Sequence, residues 1–194
     1  MKKYLLTIAL ALVYFLPAQA HADSTAQQVS AIHKMEDNTL ARLYREKPEV
    51  RREISNAAGY AVFSSGELAV LWVSAGYGHG IAHSNHEDSD TYMKMATIGG
   101  GLGLGVKDYN TVFVFHDAAA YRNFVANGLD LSGTADVAAK AGPNGGAASG
   151  GADVLAGTHV YQLTDSGLLA QAMIQGTKYW RDDTLNRAQL SDAQ

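Results

Sequence analysis

The chain has 194 residues, with 19 acidic and 15 basic side chains for a net charge of −4, and it contains no cysteine. That excludes a disulfide-stapled scaffold and a cysteine-ligated zinc site. The mildly acidic balance carries no nucleic-acid footprint, so no nucleic-acid partner is expected.

Residues 1–22 read as a signal peptide: Lys2 and Lys3, an apolar run from Tyr4 to Leu16, then Pro17 and small residues. Ala18-Gln19-Ala20 and Ala20-His21-Ala22 both fit the small-x-small rule, which sets cleavage after Ala20 or Ala22. The apolar run is too short to span a bilayer. With no cysteine to acylate, the expected product is a soluble or peripherally attached protein of the periplasm or the outside. Removing Lys2 and Lys3 leaves 13 of the 15 basic residues against 19 acidic ones, a net of −6.

Residues 23–56 form an amphipathic helical arm. From Ser24 to Tyr44 the apolar residues Val29, Ile32, Leu40, Leu43 and Tyr44 recur at helical spacing, with charged residues between them. Pro48 interrupts this pattern and suits the first turn of a second, short helix over Glu49 to Asn56. Gly59 then ends helical structure, and all twenty glycines fall between Gly59 and Gly176.

Residues 57–194 form a glycine-rich sheet domain that makes one globular unit with the arm. The period predicts strands over 60–63, 68–73, 76–82, 91–98, 100–106 and 111–115. The polar connections Ser64-Ser65-Gly66-Glu67 and Lys107-Asp108-Tyr109-Asn110 point to antiparallel neighbours. Asp117 caps a helix through Tyr121, Phe124 and Val125 that stops at Asn127-Gly128. Residues 132–156 read either as a tightly packed strand and turn or as a mobile loop. Residues 158–163 and 168–177 form a hairpin, and the tail after Arg181 is polar.

Glycine occupies alternate positions at Gly76, Gly78 and Gly80, and again from Gly99 to Gly105. Alternate residues of a strand share a face, so each segment shows one face without side chains. Glycine costs strand stability, so something must approach closely: another layer of the same protein, ahead of a flat ligand such as an acyl chain.

Three chemistries can be weighed on particular residues. A nucleotide loop fails, because Val106 stands where the third glycine of G-x-G-x-x-G belongs and a strand, not a helix, follows. His79, His83 and His86 with Glu87, Asp88 and Asp90 are the metal-like cluster, yet their spacing matches no zinc pattern and residues 84–90 read as a solvated loop. No serine lies in a nucleophile elbow, so no enzyme and no cofactor are expected. The basic residues Lys34, Arg42, Arg45, Lys47, Arg51 and Arg52 remain, six of thirteen within nineteen positions. A basic rim on an amphipathic helix suits an anionic lipid surface, although interleaved Glu36, Asp37, Glu46, Glu49 and Glu53 also suit a helix packed on its own sheet.

Taken together, several pieces resemble the SYLF domain family, the actin- and lipid-binding domain with a large bacterial secreted branch. They are Ala57-Ala58-Gly59-Tyr60-Ala61-Val62-Phe63, Gly76-Tyr77-Gly78-His79-Gly80, Tyr92-Met93-Lys94-Met95 leading into the second glycine run, Ala141-Gly142-Pro143, and Tyr161 through Ser166-Gly167 to Gly176-Thr177-Lys178-Tyr179-Trp180. The resemblance implies lipid binding. The expected fold is α+β: a strongly bent, mostly antiparallel sheet, up to a partial barrel, covered by the N-terminal helices and one further helix. The expected function is non-catalytic binding of acidic phospholipid or the membrane surface in the periplasm, through the six basic residues of the arm. The alternative is an envelope structural or protein-interaction module with a protein partner.

Overall fold

The computed structural model describes residues 17–70, 73–100, 105–131, 152–155, 157–165, 167–168 and 176–192. Helix α1 (Pro17–Glu46) opens on a proline, whose missing N–H costs nothing in a first turn. It is about 45 Å long at 1.5 Å per residue. Ile32, Glu36, Thr39 and Leu43 are its buried residues, at intervals of four, three and four. The helix therefore starts upstream of the expected Ser24 and includes both expected cleavage points. After the break at Pro48, α2 (Val50–Asn56) buries Val50 and Ile54, one turn apart on one face.

The sheet begins with β1 (Gly59–Val70), β2 (Val73–Ser84), β3 (Ser89–Gly100) and β4 (Gly105–Phe115). Consecutive hairpins join β1 to β2 and β2 to β3, and β4 then returns to pair with β1, a Greek key. Helix α3 (Ala118–Asn127) follows, then β5 (Leu129–Asp130), β6 (Ala152–Leu155), β7 (Thr158–Thr164), β8 (Gly167–Leu168), β9 (Thr177–Arg181) and α4 (Asp183–Asp192). The strand order is β5-β9-β3-β2-β1-β4-β7-β6, with β8 also on β7, and every pairing is antiparallel. The sheet curls strongly into a half-barrel, so the α+β expectation holds.

Two expected connections are strand interior. Ser64–Glu67 pairs on both sides, with His79 to Gly76 of β2 and with Asn110 to Lys107 of β4, so the shorter strands predicted on either side of each polar stretch fuse into long ones. Composition misled here because Ser64 and Asn110 point toward α1 and can stay polar: Asn110 donates to Thr39 Oγ1 at 2.7 Å. The expected strand 100–106 falls mostly outside the described residues, as do 1–16, 132–151 and 169–175. The polar tail is not featureless. Asp182 caps α4 by accepting from the Thr184 and Leu185 amides at 3.0 and 3.3 Å, and Leu185 is buried.

Each face of the sheet carries a core. On one, Phe63, Phe113, Phe115 and Tyr179 pack with Phe124 of α3, ring centroids 4.7 to 6.1 Å apart. Asp117 starts α3 as expected, accepting from the Ala119 and Ala120 amides, and Gly128 ends it. The glycines of β2 belong to this face. A methyl group at Gly80 would lie 2.4 Å from the Phe63 ring, and one at Gly78 would lie 2.9 Å from the Met95 side chain. Neighbouring side chains lean over the bare backbone, as the packing explanation requires.

The other face is organised in rows across the strands. Tyr92, Ile81, Val62, Val112 and Tyr161 stand opposite one another from β3 to β7, and all five are buried. Helix α1 crosses above this row, meeting β3 through His33, β1 through Glu36, β4 through Thr39 and β7 through Arg42. Ile32 and Leu43 of α1, Val50 and Ile54 of α2, and Leu185 of α4 complete the second core.

Candidate functional site

The row of buried residues divides the helix side of the sheet into two ends. Beneath α1, and toward α2, lies a polar cluster. The Tyr60 hydroxyl donates to Glu36 Oε1 at 2.9 Å, His33 Nδ1 lies 3.3 Å from Glu36 Oε2, and His33 Nε2 lies 3.1 Å from the Tyr92 hydroxyl. Burial raises the Glu36 carboxyl above its ordinary range, against the hydrogen bond from Tyr60. Burial and the adjacent Glu36 push the Tyr60 phenol far up as well.

The six basic residues of the arm do different things. Arg42 Nε donates to Glu46 Oε1 at 3.0 Å and its guanidinium reaches the Thr164 carbonyl, while Glu46 Oε2 accepts from the Leu168 amide at 2.6 Å. This pair clamps the end of α1 onto β7 and β8. Lys47 sits over the Tyr161 ring, 5.3 Å from its centroid, and Arg51 over Tyr44 at 4.3 Å. Lys34, Arg45 and Arg52 are exposed and enter no ion pair among the described residues. Lys34 and Arg45, eleven residues apart, lie on one stripe of α1, turned away from the sheet.

Beyond α1, at the far end of the strands, no helix among the described residues covers the same side of the sheet. Tyr77 is 56% exposed and Ile98 70% exposed, the exposed large hydrophobic residues among those described. Tyr77 pairs with Ala96 and Ile98 with Ala75, so the two are diagonal neighbours on β2 and β3. Trp180 of β9 stands opposite Lys94 on the same face, its ring 6.5 Å from that of Tyr77. Sequence reading missed this trio, which shares a face only through the register of three strands. The Gly-x-Gly-x-Gly spacing was the available signal, since it places Tyr77 opposite to the packed face.

The structure does not gather His79, His83 and His86 into a site. His83 Nδ1 pairs with Asp90 Oδ1 at 2.7 Å, His79 lies two rows further along, and His86 is exposed in the turn between β2 and β3. Another group converges instead. Glu53 of α2, His116 after β4 and His159 of β7 bring one ligand atom each to within 4.8 Å of one another, the grouping of this kind found among the described residues. Their sequence separations of 63 and 43 residues hid them from any local pattern.

A family model described as Ysc84, Las17-binding protein actin regulator, matches residues 96–191. Beta cell expansion factor A of Aeromonas veronii is 36% identical over 155 residues, covering 80% of this chain. The chain spans 58% of that relative's length. A curled antiparallel sheet clasped by helices, with these matches, places the chain in the class of domains that the family model describes. Within that class the chain belongs to the SYLF family, as the motifs of its sequence indicate.

Proposed function

We propose that this protein is a non-catalytic lipid-binding module of the periplasm that docks on membrane surfaces containing acidic phospholipid. The observation that carries the reading is the exposed Tyr77 and Ile98 beside Trp180, on the same side of the sheet as α1, whose Lys34 and Arg45 point outward. An aromatic ring and a branched aliphatic chain suit the boundary between headgroups and acyl chains. A basic side chain near an anionic surface adds about 1 kcal/mol. Lys34, Arg45 and Arg52 are the free cations of the arm, whereas Arg42, Lys47 and Arg51 have intramolecular partners.

Sedimentation with vesicles of phosphatidylcholine, with and without phosphatidylglycerol, tests this. Binding is expected at low salt with phosphatidylglycerol and weakens as salt rises. Replacing both anchors, Tyr77→Ser with Ile98→Ser, lowers it about tenfold or more. Failure to bind phosphatidylglycerol vesicles at low salt overturns the reading. The matched family's description names a protein partner, which supports a second reading as an envelope protein-interaction module. Under that reading the anchors matter for protein capture while vesicle binding is absent.

A further inference from the structure

We infer that Glu53, His116 and His159 form a binding site for one divalent transition-metal ion of the zinc type. Imidazole nitrogen and carboxylate oxygen are the donors such an ion takes, and here three donors from three separate elements point at one space. His116 Nε2 lies 3.1 Å from Glu53 Oε1, His159 Nδ1 lies 2.5 Å from the same oxygen, and the two nitrogens are 3.4 Å apart. A tetrahedral zinc ion with bonds near 2 Å holds its ligand atoms about 3.3 Å apart. Two edges already match, and the third opens by under an ångström when the Glu53 side chain turns.

The surroundings support ligation over an ordinary hydrogen-bonded trio. The two imidazoles are nearly perpendicular, 81° between planes with centroids 4.8 Å apart, so they do not stack. Tyr161 donates to Glu53 Oε2 at 2.6 Å, which leaves Oε1 as the oxygen that faces both rings. The scaffold is fixed on all three sides. Val114 pairs with His159, the His116 amide donates to the Gly157 carbonyl at 2.9 Å, and Val50 and Ile54 anchor α2 in the core. Both histidine side chains remain 38% exposed, so ions can enter and a fourth coordination position opens to solvent. Bound there, the ion ties the end of the arm to β4 and β7. The inference does not depend on the lipid reading.

Titration of the metal-free protein with zinc alone tests it, by calorimetry and by the visible spectrum of a cobalt-loaded sample. One equivalent with a tetrahedral cobalt spectrum is expected, together with a rise in Tm of about 5 °C or more at a hundredfold excess over Kd. His116→Ala and His159→Ala abolish this binding. Tyr161→Phe, which keeps every ligand, weakens it about tenfold or more. The double variant His79→Ala with His86→Ala leaves it unchanged. Absence of zinc binding, binding that persists in both ligand variants, or binding lost with His79 and His86 overturns the assignment.

Discussion

On the α3 side of the sheet, β2 gives up three side chains so that Phe63, Met95 and Thr97 can lie against its backbone. On the α1 side, the same strand supplies Ile81, His79 and Tyr77, and only the first of these is buried. The ring side is dense, apolar and closed by a short helix. The helix side changes character along its length, from a core with polar residues beneath α1 to an open apolar end. Both faces hold the molecule together, but the helix side alone has side chains to spare for contacts beyond it, among the described residues. Since one strand serves both faces, a substitution on β2 reports which of the two it belongs to.

The largest loss is expected on the ring side. Phe113 touches Phe63, Phe115, Phe124 and Tyr179, with centroids 5.1 to 6.1 Å away, so Phe113→Ala should cost about 4 kcal/mol of unfolding free energy. Urea denaturation measures it, and a loss below about 1 kcal/mol would show that the rings are not the core of the fold. Gly80→Ala adds a methyl 2.3 Å from the Val62 carbonyl oxygen and 2.4 Å from the Phe63 ring. The expected cost is about 3 kcal/mol, with strand backbone displaced; an innocuous alanine would mean the glycines serve something other than close packing. Asp117→Ala removes the cap of the helix that closes this side, and about 1 kcal/mol should follow.

The smallest effect belongs to the helix side and is read as a difference between two pH values. Burial raises the folded-state pKa of Glu36 above its ordinary 4.5, so the fold binds this proton more tightly than the unfolded chain does. Its contribution to stability is full below about pH 4.5 and is lost as pH rises through the raised value. Glu36→Gln mimics the protonated carboxyl and should be more stable than the wild type at neutral pH, with the gain gone in acid. Equal urea midpoints at neutral pH would mean that the hydrogen bonds of Tyr60 and His33 offset the burial.

Much of this architecture was legible in the residues. The i, i+3, i+4 apolar spacing marked α1, Asp117 and Asn127-Gly128 bracketed α3, and alternate glycines announced close packing, because each rests on local geometry. Strand lengths were harder. Ser64–Glu67 has the composition of a turn, and only pairing on both edges makes it strand interior. The six basic residues of the arm look equivalent in sequence, yet the fold gives Arg42, Lys47 and Arg51 partners of their own. Glu53, His116 and His159 share no local spacing at all. Their convergence is a product of the strand order, which sets the end of β4 beside β7, and of α2, which brings Glu53 to both histidines.

The polar C-terminal tail carries one more lesson. Beyond the end of β9, the edge of β3 is met by the Asn186 side chain, whose amide accepts from the Tyr92 N–H at 3.0 Å and donates to its carbonyl at 2.8 Å, beside the Asp182 amide that donates to the same carbonyl at 2.9 Å. A single carboxamide thus impersonates one residue of a tenth strand. A stranger's backbone arriving at Tyr92 finds both polar groups already engaged, so this stretch of β3 offers no free ladder for another strand to join.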